Sequence, residues 1–154
     1  MKMPVNSHQI HARGVELIQS RLLEYGIKYD SMNAHAGIDF RAVAPNEKKY
    51  VGVRACFRPK LAGGSGSPSL DWWLKQTASR NKPELVGLTN LEGGQAWLFT
   101  HKEFVDKAQQ QSESGSHLYF YVGPGRSSSD GPHERDFDPF LITQRRIQGL
   151  FRHS

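Results

Sequence analysis

Asp39 opens a stretch, Gly37, Ile38, Asp39, Phe40, Arg41, Ala42 and Val43, that reads as a strand. After a short polar turn, Lys49, Tyr50, Val51, Gly52, Val53, Arg54 and Ala55 read as another. Residues two apart on a strand share a face, so polar groups at that spacing point together. Two carboxylates so placed hold Mg²⁺ beside a phosphate, while a lysine steers or deprotonates the attacking water. The second strand carries no carboxylate, and Gly52 and Arg54 share one of its faces. An arginine, with a pKa above about 12, stabilises charge but does not readily serve as a base. Asp39 remains, with Glu16 or Glu47 as acids that could be recruited from elsewhere. Without a metal, Asp39 is a strand-end residue that pairs with Arg54 or caps a turn, and Glu16 is a solvated glutamate on its helix.

Other chemistries find less support. The seven histidines, among them His8, His11, His35, His101 and His117, show no HExxH or clustered metal spacing, so surface or capping roles are expected and no zinc site is. The one cysteine, Cys56, reads as a small buried residue on a strand rather than a thiol nucleophile. There is no GxSxG elbow, and the glycines at 63 to 66 are followed by Pro68 instead of a phosphate-loop Lys-Ser or Lys-Thr. Trp72 and Trp73 are adjacent. On a helix they would point about 100° apart, so one is expected in the core and the other is open to stack on a base or anchor a partner.

The net charge of +5 is concentrated. Residues 40 to 60 carry Arg41, Lys48, Lys49, Arg54, Arg58 and Lys60 against Glu47 alone, so this window holds an excess equal to that of the whole chain. Clustered cations attract polyanions through counterion release, and are otherwise a solvated face.

The elements that must position these residues follow from periodicity. At 154 residues the chain fits a single domain, able to bury roughly 70% of its unfolded surface. Ile10, Gly14, Leu17, Ile18, Leu22 and Tyr25 form a helical stripe, with Ser7 as expected cap and Gly26 as stop. Strands are expected at residues 27 to 32, 38 to 43 and 50 to 57, the last two joined by a turn at Pro45, Asn46, Glu47 and Lys48. After a Gly and Ser loop comes a short helix at 70 to 74. Strands follow at 84 to 89 and 95 to 99 around a Gly93-Gly94 turn, then a helix at 102 to 111 and a strand at 117 to 122. Residues 1 to 122 are thus expected as the core, 123 to 138 as a flexible loop, and 139 to 154 as a basic amphipathic helix carrying Phe140, Ile147, Leu150 and Phe151 beside Arg145 and Arg146. No stretch approaches the roughly 20 apolar residues that span a bilayer, and a cytoplasmic location is expected.

This order of helix, three-stranded meander, helix, two strands and helix resembles the PD-(D/E)xK nuclease-like fold, also called restriction endonuclease-like, over residues 10 to 111. The matching residues are Arg13, Gly14, Val15 and Glu16 in the first helix and Leu22 to Gly26 at its end. Gly37, Ile38 and Asp39 match at the metal-binding aspartate, and Val51, Gly52, Val53 and Arg54 at the strand that normally carries Glu or Gln, one residue, then Lys. The resemblance implies an α/β (α+β) domain, a central mixed sheet flanked by helices, with a degenerate active site.

The expected function is nucleic-acid binding without catalysis. Arg41, Lys48, Lys49, Arg54, Arg58 and Lys60 would meet DNA or RNA, with Arg145 and Arg146 as auxiliaries, and no cofactor is needed. One alternative is an active Mg²⁺-dependent endonuclease built on Asp39, Arg54 and a relocated Glu16 or Glu47. Another is a protein-binding accessory or inhibitor of a nucleic-acid-processing system, acting through Trp72, Trp73 or a C-terminal helix that could also form a homodimer. No membrane partner is expected.

Overall fold

The computed structural model describes residues 6–31, 37–61, 68–75, 82–122 and 132–151. The segment between the first two expected strands at 32 to 36, with His35, the glycine-rich loop at 62 to 67, residues 123 to 131 of the expected loop and the last three residues lie outside them. No helix among the described residues is long and apolar enough to cross a membrane.

Helix α1 (Ser7–Glu24) buries Gly14, Ile18 and Leu22, one per turn, as the stripe requires. Its cap is Asn6 rather than Ser7: the Asn6 Oδ1 accepts the Gln9 N–H at 2.8 Å. Gly14 lets the helix lie against the sheet, because a Cβ there would stand 2.6 Å from that of Ala55. Strands β1 (Lys28–Asp30), β2 (Phe40–Ala44) and β3 (Glu47–Cys56) form the expected antiparallel meander.

The chain then leaves this sheet. Strands β4 (Lys60–Leu61) and β5 (Pro68–Lys75) begin a second sheet, and β6 (Leu85–Asn90) returns to pair parallel with β3 before β7 (Gln95–Thr100) closes the first. The short helix expected at 70 to 74 is therefore a strand. An apolar run of that length fits either form, and pairing of β5 with β9 (Gly115–Tyr121) decides it. Helix α2 (His101–Lys107) is capped by reciprocal Thr100 and Glu103 bonds. It stops short of its expected end because Gln110–Ser112 is strand β8, paired with β9. A 3₁₀ helix at Glu134–Phe140 replaces the end of the expected loop, and α3 occupies only Gln144–Leu150 of the expected C-terminal helix.

The first sheet has the order β1-β2-β3-β6-β7 and the second β4-β5-β9-β8. Each face of the first sheet carries a core. On one face Ile18 and Leu22 of α1 meet Phe40, Val51, Val53 and, from the C-terminal segment, Ile142, Ile147, Leu150 and Phe151. On the other, Val86, Leu88, Trp97 and Phe99 meet Trp72, Leu118 and Phe120 of the second sheet, with Phe104, Phe137 and Phe140. Strand β6 is buried at every residue because it is covered on both faces. The C-terminal apolar residues thus cover their own domain, which is why the first core includes a segment 100 residues distant from β3 in the chain: Lys49 Nζ donates to the Leu150 carbonyl at 3.0 Å, a separation of 101 positions.

Candidate nucleic-acid interface

Asp39 lies one residue before β2, beside the middle of β3. Its N–H donates to the Val51 carbonyl at 2.8 Å, and its Oδ2 accepts the Val53 N–H at 2.7 Å. Its Oδ1 lies 2.9 Å from Nε2 of His11, near the start of α1. Both carboxylate oxygens are therefore engaged within the protein. Next door, a Cβ on Gly52 would collide with the backbone carbonyl of Gly37 and stand 3.1 Å from the Pro83 side chain. Glycine at 52 is a packing requirement of this backbone, and the acid has no room.

Arg54 projects from the same side of β3 as Gly52, toward the second sheet. Its Nε donates to the Trp73 carbonyl at 3.2 Å and its Nη1 to the Val53 carbonyl at 2.9 Å. Burial pushes its guanidinium below the ordinary value, with Asp39 opposing that shift, and arginine starts so high that it remains a cation at neutral pH.

Among the described residues no second acid forms a metal-binding group with Asp39. Glu16 is exposed and lines a separate cavity with Arg13, Leu17, Phe57 and Leu91. Glu47 begins β3, six residues before Val53 and so about 20 Å away along the strand; it lies 3.9 Å from Lys49. Among the described residues no three His, Cys, Asp or Glu side chains converge on a common point. Mg²⁺ takes carboxylates in near-octahedral geometry, and one carboxylate with both oxygens hydrogen-bonded does not fit it.

The predicted cations divide. Arg41 holds Asp30 in a two-pronged pair, Nε at 3.0 Å and Nη2 at 2.7 Å, and this bond keeps the Asp30 carboxyl below its usual range. Arg146 bonds Glu103 and the Leu98 carbonyl and lies over the Phe140 ring, and Lys49 is tied to the C-terminal helix. Lys48 and Arg145 are exposed. Arg54, Arg58 and Lys60 line a cleft of about 810 Å³ together with Ile10, His11 and Phe57. The start of α1 forms one wall and the end of β3 the other, so the positive end of the helix dipole also opens onto it. Among the described residues no carboxylate lines this cleft, though Glu92 lies 3.8 Å from Arg58. Cys56 is in its wall with the thiol donating to the Asp71 carbonyl at 2.9 Å, and burial pushes it up to about 11, which leaves no reactive thiolate.

Trp72 and Trp73 occupy opposite faces of β5. Trp72 is in the core with its Nε1 donating to the Thr89 carbonyl at 3.3 Å, while Trp73 is 48% exposed and stacked on His117. Strand alternation, not helical rotation, separates them. Sequence reasoning treated His11 and His117 as ordinary surface residues. Their partners, Asp39 and Trp73, lie 28 and 44 positions away, so only the docking of α1 on β3 and of β5 on β9 reveals them.

These two sheets and their helices make a nuclease-like α+β fold. The chain is similar to a solved structure described as a bacterial homing endonuclease, I-Ssp6803I, with a TM-score of 0.65 and 11% sequence identity, over 97% of this chain and 95% of that one. At that identity the likeness is one of fold, and it extends well beyond residues 10 to 111, taking in the C-terminal segment. No family model and no curated protein matches the chain.

Proposed function

We propose that this protein binds nucleic acid, DNA or RNA, through the cleft between α1 and the end of β3, and that it is a PD-(D/E)xK-type relative whose metal site is degenerate. The observation that carries this reading is the cleft wall itself: Arg54, Arg58 and Lys60, with His11, and no carboxylate among the described lining residues. The nuclease-like fold supports it. Of the acids near these cations, Asp39 is bonded to His11 and Val53, and the exposed Glu92 lies 3.8 Å from Arg58.

Such binding is mostly electrostatic. Three cations, each neutralising one phosphate, give a slope of log affinity against log salt of about −2.7 on duplex DNA. Fluorescence anisotropy with a labelled duplex tests this. Arg58→Glu with Lys60→Glu is expected to weaken binding to unrelated sequences alike and flatten the slope, because phosphate contacts position without specifying. Lys48→Glu, at the far end of β3, is expected to change it little. Absence of affinity at low salt would reject the reading, and robust Mg²⁺-dependent cleavage abolished by Asp39→Ala would replace it with the endonuclease.

A further inference from the structure

The outer face of the second sheet carries a row of rings that the cleft does not use. Trp73 on β5 lies directly opposite His117 on β9, and their rings are parallel with centroids 4.4 Å apart. Tyr119 follows at 5.7 Å from His117, and Tyr121 at 6.1 Å from Tyr119. The imidazole is fixed from both sides: its Nε2 lies 2.9 Å from the Asp71 carboxylate and its Nδ1 3.2 Å from the Gln110 side chain. One face of the Trp73 indole is therefore backed by an immobilised ring, and no other described ring or cation contacts it.

This platform is continuous with the cleft. The Trp73 carbonyl accepts from Arg54, and the Asp71 carbonyl accepts from Cys56, so the edge of β5 forms part of the same seam as two cleft-lining residues. Arg54 and the residue that carries the indole are thus joined by a direct hydrogen bond. We infer that Trp73, braced by His117, is a stacking platform for one unpaired nucleobase of the strand held in the cleft. This rests on the nucleic-acid-binding reading and narrows it. Bases inside a duplex have both faces covered by their neighbours, so only a single-stranded, frayed or extruded base can lie on Trp73. Stacking accepts any base, which matches a site whose polar groups are cations rather than paired donors and acceptors. The Asp71 carboxylate, the acid nearest the platform, is already engaged by His117.

The test uses the intact protein, a single-stranded oligothymidylate and a duplex of equal length. Trp72 and Trp97 are buried, so quenching of tryptophan emission by a bound base reports on Trp73. The oligothymidylate is expected to quench emission. Trp73→Ala is expected to lower the ratio of single-strand to duplex affinity by about 5- to 150-fold, and Trp73→Phe to recover most of that ratio while losing the quenching. Lys60→Glu is expected to weaken both ligands. If Lys60→Glu weakens both but Trp73→Ala leaves the ratio unchanged, the platform is wrong and the cleft reading stands. If neither ligand binds the parent protein at low salt, both fall. A change from dimer to monomer on Trp73→Ala, seen by light scattering, would mean that a second copy occupies this face instead, and would overturn the base platform.

Discussion

The backbone carbonyl of Gly37 occupies the space that a side chain on residue 52 would need. The missing acid of the second strand is therefore not a simple vacancy that one substitution refills. It is part of how the segment before β2 packs over β3, and Pro83 closes the same space from the side of β6. Asp39, two residues after Gly37 on the same segment, is turned to His11 and the Val53 N–H.

Gly52→Ala is expected to destabilise the fold by about 1–3 kcal/mol, the usual cost of overpacking. The change would appear as a lower urea midpoint at constant slope, and Gly52→Glu is expected to cost more without creating Mg²⁺-dependent cleavage. A Gly52→Ala protein as stable as the parent would show that the close approach is absent.

Asp39 is expected to act on stability. Removing its side chain leaves the N–H of buried Val53 without its acceptor, and Asp39→Ala is expected to cost about 1–3 kcal/mol. Asp39→Asn keeps an oxygen for Val53 and is expected to cost less. Thermal melts in millimolar Mg²⁺ and in EDTA are expected to coincide; a Mg²⁺-dependent rise lost in Asp39→Ala would reveal a metal site.

Glu103 links pH to the anchoring of α3. Burial alone would raise its carboxyl, but the hydrogen bonds from Arg146 and the Thr100 N–H outweigh it and hold it below its ordinary value. A carboxyl depressed in the folded state contributes stability above its unfolded pKa of about 4.3 and loses it as the pH falls through the lower folded value. Arg146→Gln is therefore expected to be less stable than the parent at neutral pH, with the difference shrinking below about pH 4. Parallel urea midpoints across that range would contradict the pairing.

Phe151 is fully buried against residues of the first sheet and α1. Phe151→Ala is expected to cost about 3–5 kcal/mol. Deleting residues 139 to 154 is expected to unfold or loosen the monomer by stripping Phe140, Ile142, Ile147, Leu150 and Phe151 from the cores, which far-UV and near-UV circular dichroism would record. A well-folded truncated chain of half the original assembly mass would instead place this segment at a dimer interface.

Periodicity alone specified α1, the β2–β3 meander and the β6–β7 pair, because a helical stripe and alternating strands bounded by turns are local patterns that each segment carries in its own residues. The family resemblance marked the missing acid at Gly52, and the distribution of charge marked the cluster of cations around Arg54. The short apolar run around Trp72 and Trp73 fits a helix or a strand equally, and became β5 only because β9 offers a partner in register. Residues 110 to 112 were likewise drawn from the end of a helical pattern into pairing with β9. The site depended on distant contacts throughout. Gly14 lets α1 close on Ala55, which carries His11 to Asp39, and the crossover through the second sheet sets Trp73 against Arg54. A residue's neighbours along the chain bias its conformation, but which surfaces meet is decided by burying apolar faces together, and only that packing determined that Asp39 is bonded within the protein while the cations beside it line an open cleft.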